Sequence, residues 1–198
     1  MSHLFYHFFF FRQVWYHFAM VRVLMNQKEI ASTLKELATQ VEKELGLSNL
    51  AIIGIKRRGA ILARRLQTLL QSRCRQPIFL GFLDITLYRD DFSALGSHPV
   101  VSETEILFNL EKRKILLVDD VLFTGRTVRA ALDAIIDFGR PSYIRLLVLI
   151  DRGHREFPIQ PDFVGLAVST TKKQMVEVHV KEVDGTEEVV LLDRPAEG

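Results

Sequence analysis

Between Lys114 and Thr127 the chain reads KILLVDDVLFTGRT, and this stretch limits the possible folds more than any other. Ile115 to Val118 form an unbroken apolar run, without the polar alternation of a strand that has one face in water. Such a run fits a strand covered on both faces, which implies a mostly parallel sheet flanked by helices. The strand is predicted to end at Asp119. Open α/β sheets take their ligands in the crevice beyond the carboxyl ends of the strands, so Asp119 and Asp120 stand where a site is expected.

The rest of the sequence supplies partners for that strand. From Asn26 onward, Ile30, Leu34, Leu37, Val41 and Leu45 recur at three- and four-residue spacing before Gly46, which predicts an amphipathic helix. LAIIGI (Leu50 to Ile55) reads as a buried strand, GAILARRLQTLLQ (Gly59 to Gln71) as a helix, and IFLGFLDITLY (Ile78 to Tyr88) as another strand. A polar stretch from Arg89 to Glu105, with Gly96 and Pro99, is the candidate for a long mobile loop. A helix from about Arg126 to Phe138 then leads to the strand YIRLLVLI (Tyr143 to Ile150), followed by DFVGLAV, QMVEVHV and EVVLL. Strands alternating with helices imply right-handed crossovers.

At 198 residues one core is expected. The first 24 residues stand apart: they hold six of the 14 phenylalanines and the only tryptophan. His7, Arg12, Gln13, His17 and Arg22 interrupt them, so they fall short of a spanning helix. This leader is read as an upstream extension of the reading frame, with Met20 or Met25 as the working start. An interfacial anchor and a disordered or partner-binding tail are the other readings. Residues 25–198 are taken as one domain. The leader contributes two arginines and no acid to a net charge of +2, so the body is neutral and carries no overall field for nucleic acid. A single cysteine, Cys74, excludes an internal disulfide framework and points to the cytoplasm.

Two adjacent carboxylates at a strand end repel each other unless a ligand or cation meets them. They suit a vicinal diol, and they could reach a divalent cation directly or through water. Val121, Leu122, Phe123, Thr124, Gly125, Arg126 and Thr127 then lead into a helix whose free N–H groups and dipole favour a phosphate. Together the segment reads as a ribose 5-phosphate cradle.

VDDVLFTGRT in this strand, loop and helix setting resembles the phosphoribosyl diphosphate signature of the type I phosphoribosyltransferases. The likeness covers nearly all of residues 26–192 and narrows with IGIKRRG (Ile53 to Gly59), LDITLYRDD (Leu83 to Asp91) and DRGHREFPI (Asp151 to Ile159). The set is similar to the bifunctional pyrimidine operon attenuator and uracil phosphoribosyltransferase family. That resemblance implies a mostly parallel central sheet with a small hood and a mobile loop, working as a homo-oligomer. It implies transfer from 5-phosphoribosyl 1-diphosphate to uracil, giving UMP and diphosphate, with Mg2+ as cofactor.

By the same resemblance Asp119, Asp120 and Arg89 are catalytic, and the two aspartates are the metal residues. Lys56, Arg57, Arg58 and Gly59 hold the diphosphate, Arg89 belongs to a loop that closes over it, and Asp151, Arg152 and Val164 lie on the base side. The family's second activity, control of the pyrimidine operon by binding its leader mRNA in response to UMP or UTP, would draw on Arg152, His154 and Arg155. The first helix weakens that expectation, since Glu36, Glu42 and Glu44 offset Lys35 and Lys43. Two alternatives remain open: an RNA-binding nucleotide sensor with little turnover, and a transferase for another nucleobase such as a purine.

Overall fold

The computed structural model describes residues 21–88, 90 and 103–193. Strand β1 (Val21–Asn26) leads directly into helix α1 (Gln27–Leu45). Asn26 sets the boundary: its side chain accepts from Lys28 N and Glu29 N, while Glu29 reaches back to Asn26 N at 2.7 Å, a reciprocal cap. The helix ends at Gly46, as its spacing predicts. Then come β2 (Leu50–Ile55), helix α2 (Arg58–Gln71), β3 (Phe79–Leu83) and a 3-10 turn (Thr86–Tyr88). Strand β4 (Lys114–Leu122), helix α3 (Arg126–Phe138), β5 (Tyr143–Asp151), β6 (Phe163–Ala167), β7 (Gln174–His179), the short helix α4 (Lys181–Asp184) and β8 (Glu188–Asp193) complete the order.

Five strands form one parallel sheet in the order β3-β2-β4-β5-β6. Alternation along each strand divides the core in two. Ile52, Leu116, Val118, Leu147 and Leu149 join the apolar stripes of α1 and α2 on one face. Ile53, Ile115, Leu117 and Val148 meet Val128, Ala131 and Ile135 of α3 on the other. The apolar run in β4 is thus buried on both sides, the condition it predicts. A separate antiparallel sheet, β1-β8-β7, forms the hood and packs Met25, Val176, Val178, Val189 and Leu191 into the α1–α2 core.

Four expectations from the sequence are corrected or placed by the structure. The strand foreseen from Ile78 to Tyr88 stops at Leu83, because Asp84 Oδ1 accepts from Thr86 N (2.8 Å) and Thr86 Oγ1 (2.5 Å) and folds the chain into a turn. Strand β4 does not end at Asp119 but pairs on through Val121↔Ile150 and Leu122↔Asp151. Val21 to Leu24, the last residues of the aromatic leader, lie in β1, where Val21 to Val23 pair with β8 and Leu24 falls at a break in the register, while residues 1–20 are outside the described residues. Most of the foreseen loop, including Arg89, is also outside them. Among the described residues no helix is long and apolar enough to cross a membrane.

Candidate active site

Parallel register brings the chemistry to one edge. Gly54 of β2 lies beside Val118 of β4, and Leu122 of β4 beside Asp151 of β5. The segments leaving β2, β4 and β5 therefore converge on the carboxyl edge of the sheet, where the ligand crevice of such folds lies.

Asp119 is only 5% exposed. Its Oδ1 accepts from Asp120 N at 2.9 Å, and Asp120 Oδ1 accepts from Val121 N at 3.0 Å. Burial, and then the neighbouring Asp120 carboxylate, push the Asp119 carboxyl well above the usual carboxylate range. A cation or a pair of sugar hydroxyls would relieve both effects. Gly59 lies against this carboxylate: a Cβ there would meet Val118 O at 2.7 Å, Asp119 Cα at 3.0 Å and Asp119 Oδ1 at 3.2 Å. Glycine at 59 is therefore a requirement of close approach between the start of α2 and β4.

The segment expected to form the phosphate loop is shorter than its sequence signature. Val121 and Leu122 belong to β4, and Leu122 is a core residue at 1% exposure, so neither is a loop residue as expected. The turn itself is Phe123 to Gly125. Gly125 has φ +91° and no side chain caps the helix behind it; Thr124 Oγ1 accepts weakly from Arg126 N at 3.4 Å. The first turn of α3, with Thr127 in it, thus keeps N–H groups for a ligand. Arg126 is half-exposed and paired with Glu156 (2.6 Å) and Asp90.

The three cations of the foreseen diphosphate loop differ in setting. Arg57 is exposed, and its peptide with Lys56 is cis. Lys56 Nζ bonds Glu105 Oε1 (2.7 Å) and the Glu103 carbonyl (2.5 Å). Arg58 makes a two-pronged pair with Asp184 of the hood, Nε to Oδ2 at 3.0 Å and Nη2 to Oδ1 at 2.7 Å. Arg58 thus ties the hood to α2, and the Asp120 carboxylate is among its charged neighbours.

Beyond the end of β5, where the base is expected, a cavity of about 420 Å³ is lined by Asp151, Arg152, Gly153 and His154 with Ala167, Val168, Ser169 and Thr170. The second group is not foreseen from the sequence: Ala167 ends β6, the next parallel strand, opposite Asp151, and Val168 to Thr170 follow it. Val164, the base-side residue expected from the resemblance, lies on β6 as well. It pairs with Val148 and packs on the α3-side core, three residues short of the edge.

Arg152 is 5% exposed, donates to the carbonyls of Gln174 (2.6 Å) and Thr171 (3.1 Å), and stacks on Phe123 at 4.0 Å. The guanidinium expected to meet RNA is thus turned to backbone carbonyls inside the fold. His154, at φ +61°, donates from Nε2 to Thr170 O at 2.6 Å. Arg155 bonds Asp151 Oδ2 at 2.6 Å and also turns inward.

The family model of the phosphoribosyl transferase domain matches residues 22–183. Bifunctional protein PyrR of Thermus thermophilus is 50% identical over 172 residues, covering 86% of this chain and 95% of that protein. The Deinococcus radiodurans protein of the same name is 49% identical over 171 residues, covering 86% and 93%. Among solved structures, the hypoxanthine phosphoribosyltransferase of Trypanosoma cruzi in complex with the product IMP superposes with a TM-score of 0.66 at 19% identity, over 90% of this chain and 96% of that one. The Staphylococcus aureus hypoxanthine phosphoribosyltransferase gives 0.64 at 18%, over 88% and 93%. At those identities the structural likeness speaks for the fold alone.

Proposed function

Because the chain belongs to the phosphoribosyl transferase family and, within it, to the bifunctional PyrR proteins, we propose that it transfers the phosphoribosyl group of 5-phosphoribosyl 1-diphosphate to uracil, giving UMP and diphosphate. One observation carries the chemistry: a single sheet edge holds the Asp119–Asp120 pair, a glycine-turned helix start and the cavity beside Asp151. The helix start receives the 5-phosphate, the aspartates meet the ribose hydroxyls, and the cavity beside Asp151 takes the base.

No nucleophilic side chain is needed. As diphosphate departs, positive charge grows on the anomeric carbon, much as in glycoside chemistry. Asp120 is assigned to face that charge, and holding both reactants in line is worth about 7–11 kcal/mol of barrier. Arg57 and Lys56 lie on the side from which the diphosphate leaves. Arg89, in the segment after Tyr88, is assigned to cover it and keep water away from the activated sugar.

Magnesium fits the donor set in a limited way. Among the described residues no group of three or more metal-ligating side chains occurs, so Asp119 and Asp120 would share the ion with substrate oxygens and waters, the usual habit of this cation. When bound, it would offset the charge of the diphosphate.

The name of the relatives supports a second arm, regulation of pyrimidine operon transcription through leader mRNA, with UMP or UTP in the site as the signal. Since Arg152 and Arg155 turn inward, Lys172 and Lys173, both exposed just beyond the base cavity, are the better candidates for phosphate contacts. A homo-oligomer and a cytoplasmic setting complete the proposal.

The test is diphosphate release from 5-phosphoribosyl 1-diphosphate and magnesium with uracil, hypoxanthine, adenine or orotate, for the wild type and Asp120→Asn. Turnover with uracil that falls at least a hundredfold in the variant supports the reading. Turnover with another base, or none in protein that still binds UMP, would replace it with one of the alternatives.

A further inference from the structure

The segment between β5 and β6 does more than wall the base cavity. The carbonyl of Thr124, in the phosphate loop, accepts from Glu156 N (2.8 Å) and Phe157 N (3.1 Å). Phe157 Cβ and Ile159 lie against Gly125, where a Cβ would come within 3.3 and 3.4 Å of them. At the centre of this contact is Arg155. Its Nε donates to Ile159 O (2.9 Å), and Nη1 to Phe123 O (2.9 Å) and Gly153 O (3.3 Å). Nη2 donates to Asp151 Oδ2 (2.6 Å), in a pair whose side chains are about one-fifth exposed on each side.

Three carbonyl oxygens and a carboxylate thus converge on one cation, and without it Asp151 would keep only Gly153 N, which donates to its Oδ1 at 3.0 Å. Two of the four belong to the base cavity, Gly153 O and Asp151. One, Phe123 O, opens the phosphate loop. The planar fork of a guanidinium can hold all four at once; an ammonium, a point charge on a flexible stem, cannot.

We propose that Arg155 is a positioning residue that fastens the ribose-phosphate loop to the base cavity, so that a ligand ordering one of them helps to order the other. It touches neither reactant. The naming of the two ligand halves rests on the function proposed above, while the fastening rests on the contacts alone.

The experiment compares wild type, Arg155→Ala, Arg155→Lys and Arg145→Ala. Arg145 serves as the control because it lies on β5, six residues before the strand's last residue Asp151, and pairs with Asp162 at 2.8 Å. In Arg155→Ala the KM for uracil and the KM for 5-phosphoribosyl 1-diphosphate both rise about tenfold while kcat changes less than threefold. Free guanidinium ion at tens of millimolar brings both KM values back toward wild type in that variant and does not improve the wild type. Arg145→Ala keeps both KM values within twofold.

A KM that moves for one substrate only, or for neither, overturns the proposal, as does the absence of guanidinium rescue. Should Arg155→Ala fail to fold, Arg155→Lys decides: both KM values raised at least threefold support the fork, and wild-type values overturn it. If the wild type does not turn over uracil at all, the proposed function fails. Calorimetric binding of ribose 5-phosphate then decides the fastening, which requires at least fivefold weaker binding in Arg155→Lys than in wild type and falls if the affinities agree.

Discussion

At Gly59 one missing carbon sets the distance between a helix and a carboxylate. The groups that a Cβ would strike are Val118 O and the backbone and side chain of Asp119, and backbone cannot swing aside as a flexible side-chain end can. Gly59→Ala should destabilise the protein by roughly 1–3 kcal/mol, the usual range for overpacking. It should also displace Asp119 and cut kcat/KM at least tenfold. Gly153 makes the contrast. It adopts φ +75° but has nothing within 4 Å of an added Cβ, so Gly153→Ala carries only left-handed strain, about 1–2 kcal/mol. Thermal melts of both variants beside uracil kinetics separate the two: comparable losses of stability, with activity lost much more severely at 59.

At the scale of elements, local signals were read well and neighbour-dependent ones were not. The α1 periodicity placed the helix within a residue of its ends because the cap is built from residues three apart, Asn26 and Glu29. Asn26→Ala removes the oxygen that holds two helix N–H groups and should cost about 1 kcal/mol, seen as a fall of about 2–4 °C in melting temperature. The aspartate pair and the glycine turn were legible for the same reason, since the motif is continuous in sequence. The end of β4 was not, because Asp119 to Leu122 stay in the ladder only where β5 runs on beside them to Asp151. Ala167 to Thr170 entered the cavity by that route too, through a pairing the sequence does not print. Arg152 is turned inward by carbonyls 19 and 22 residues away, and one of Arg155's partners, Phe123 O, is 32 residues away, which a row of basic letters does not reveal. The hood was hardest, since Val21 meets Leu192 across almost the whole chain.

At the scale of the whole molecule, the hood is held to α2 by charge. Arg65 bonds Glu182 (2.7 Å) and Glu187 (2.5 Å), and Arg58 bonds Asp184, whose Oδ2 also accepts from Val180 N at 2.9 Å. Burial would raise the Asp184 carboxyl, but the Arg58 guanidinium and the Val180 N–H outweigh it and leave it below the usual range. Asp184→Asn should therefore cost about 1.5–3 kcal/mol, toward the low end because Arg58 keeps 27% of its side chain in water. Beside this pair, His179 lies between Glu177 (3.1 Å) and Glu188 (3.6 Å), with Asp184 and Arg58 as its other charged neighbours. The Glu177 contact raises its imidazole above the ordinary histidine value, against burial and the repulsion of Arg58. A raised histidine stabilises the fold fully below its unfolded value of about 6.5 and loses that contribution as pH climbs through the folded value. A lowered aspartate works the other way, stabilising above about pH 3.9 and losing its contribution as pH falls through the folded value. The hood should thus be held most firmly between about pH 4 and 6.5, and stability should slope downward from near pH 6.5 toward pH 8. His179→Gln should flatten that alkaline slope and leave the acid limb unchanged, whereas Asp184→Asn should flatten the acid limb. Chemical denaturation midpoints across pH 3 to 9 for the wild type and both variants would show it, and a wild-type slope above pH 6.5 that survives in His179→Gln would place its origin elsewhere in the molecule.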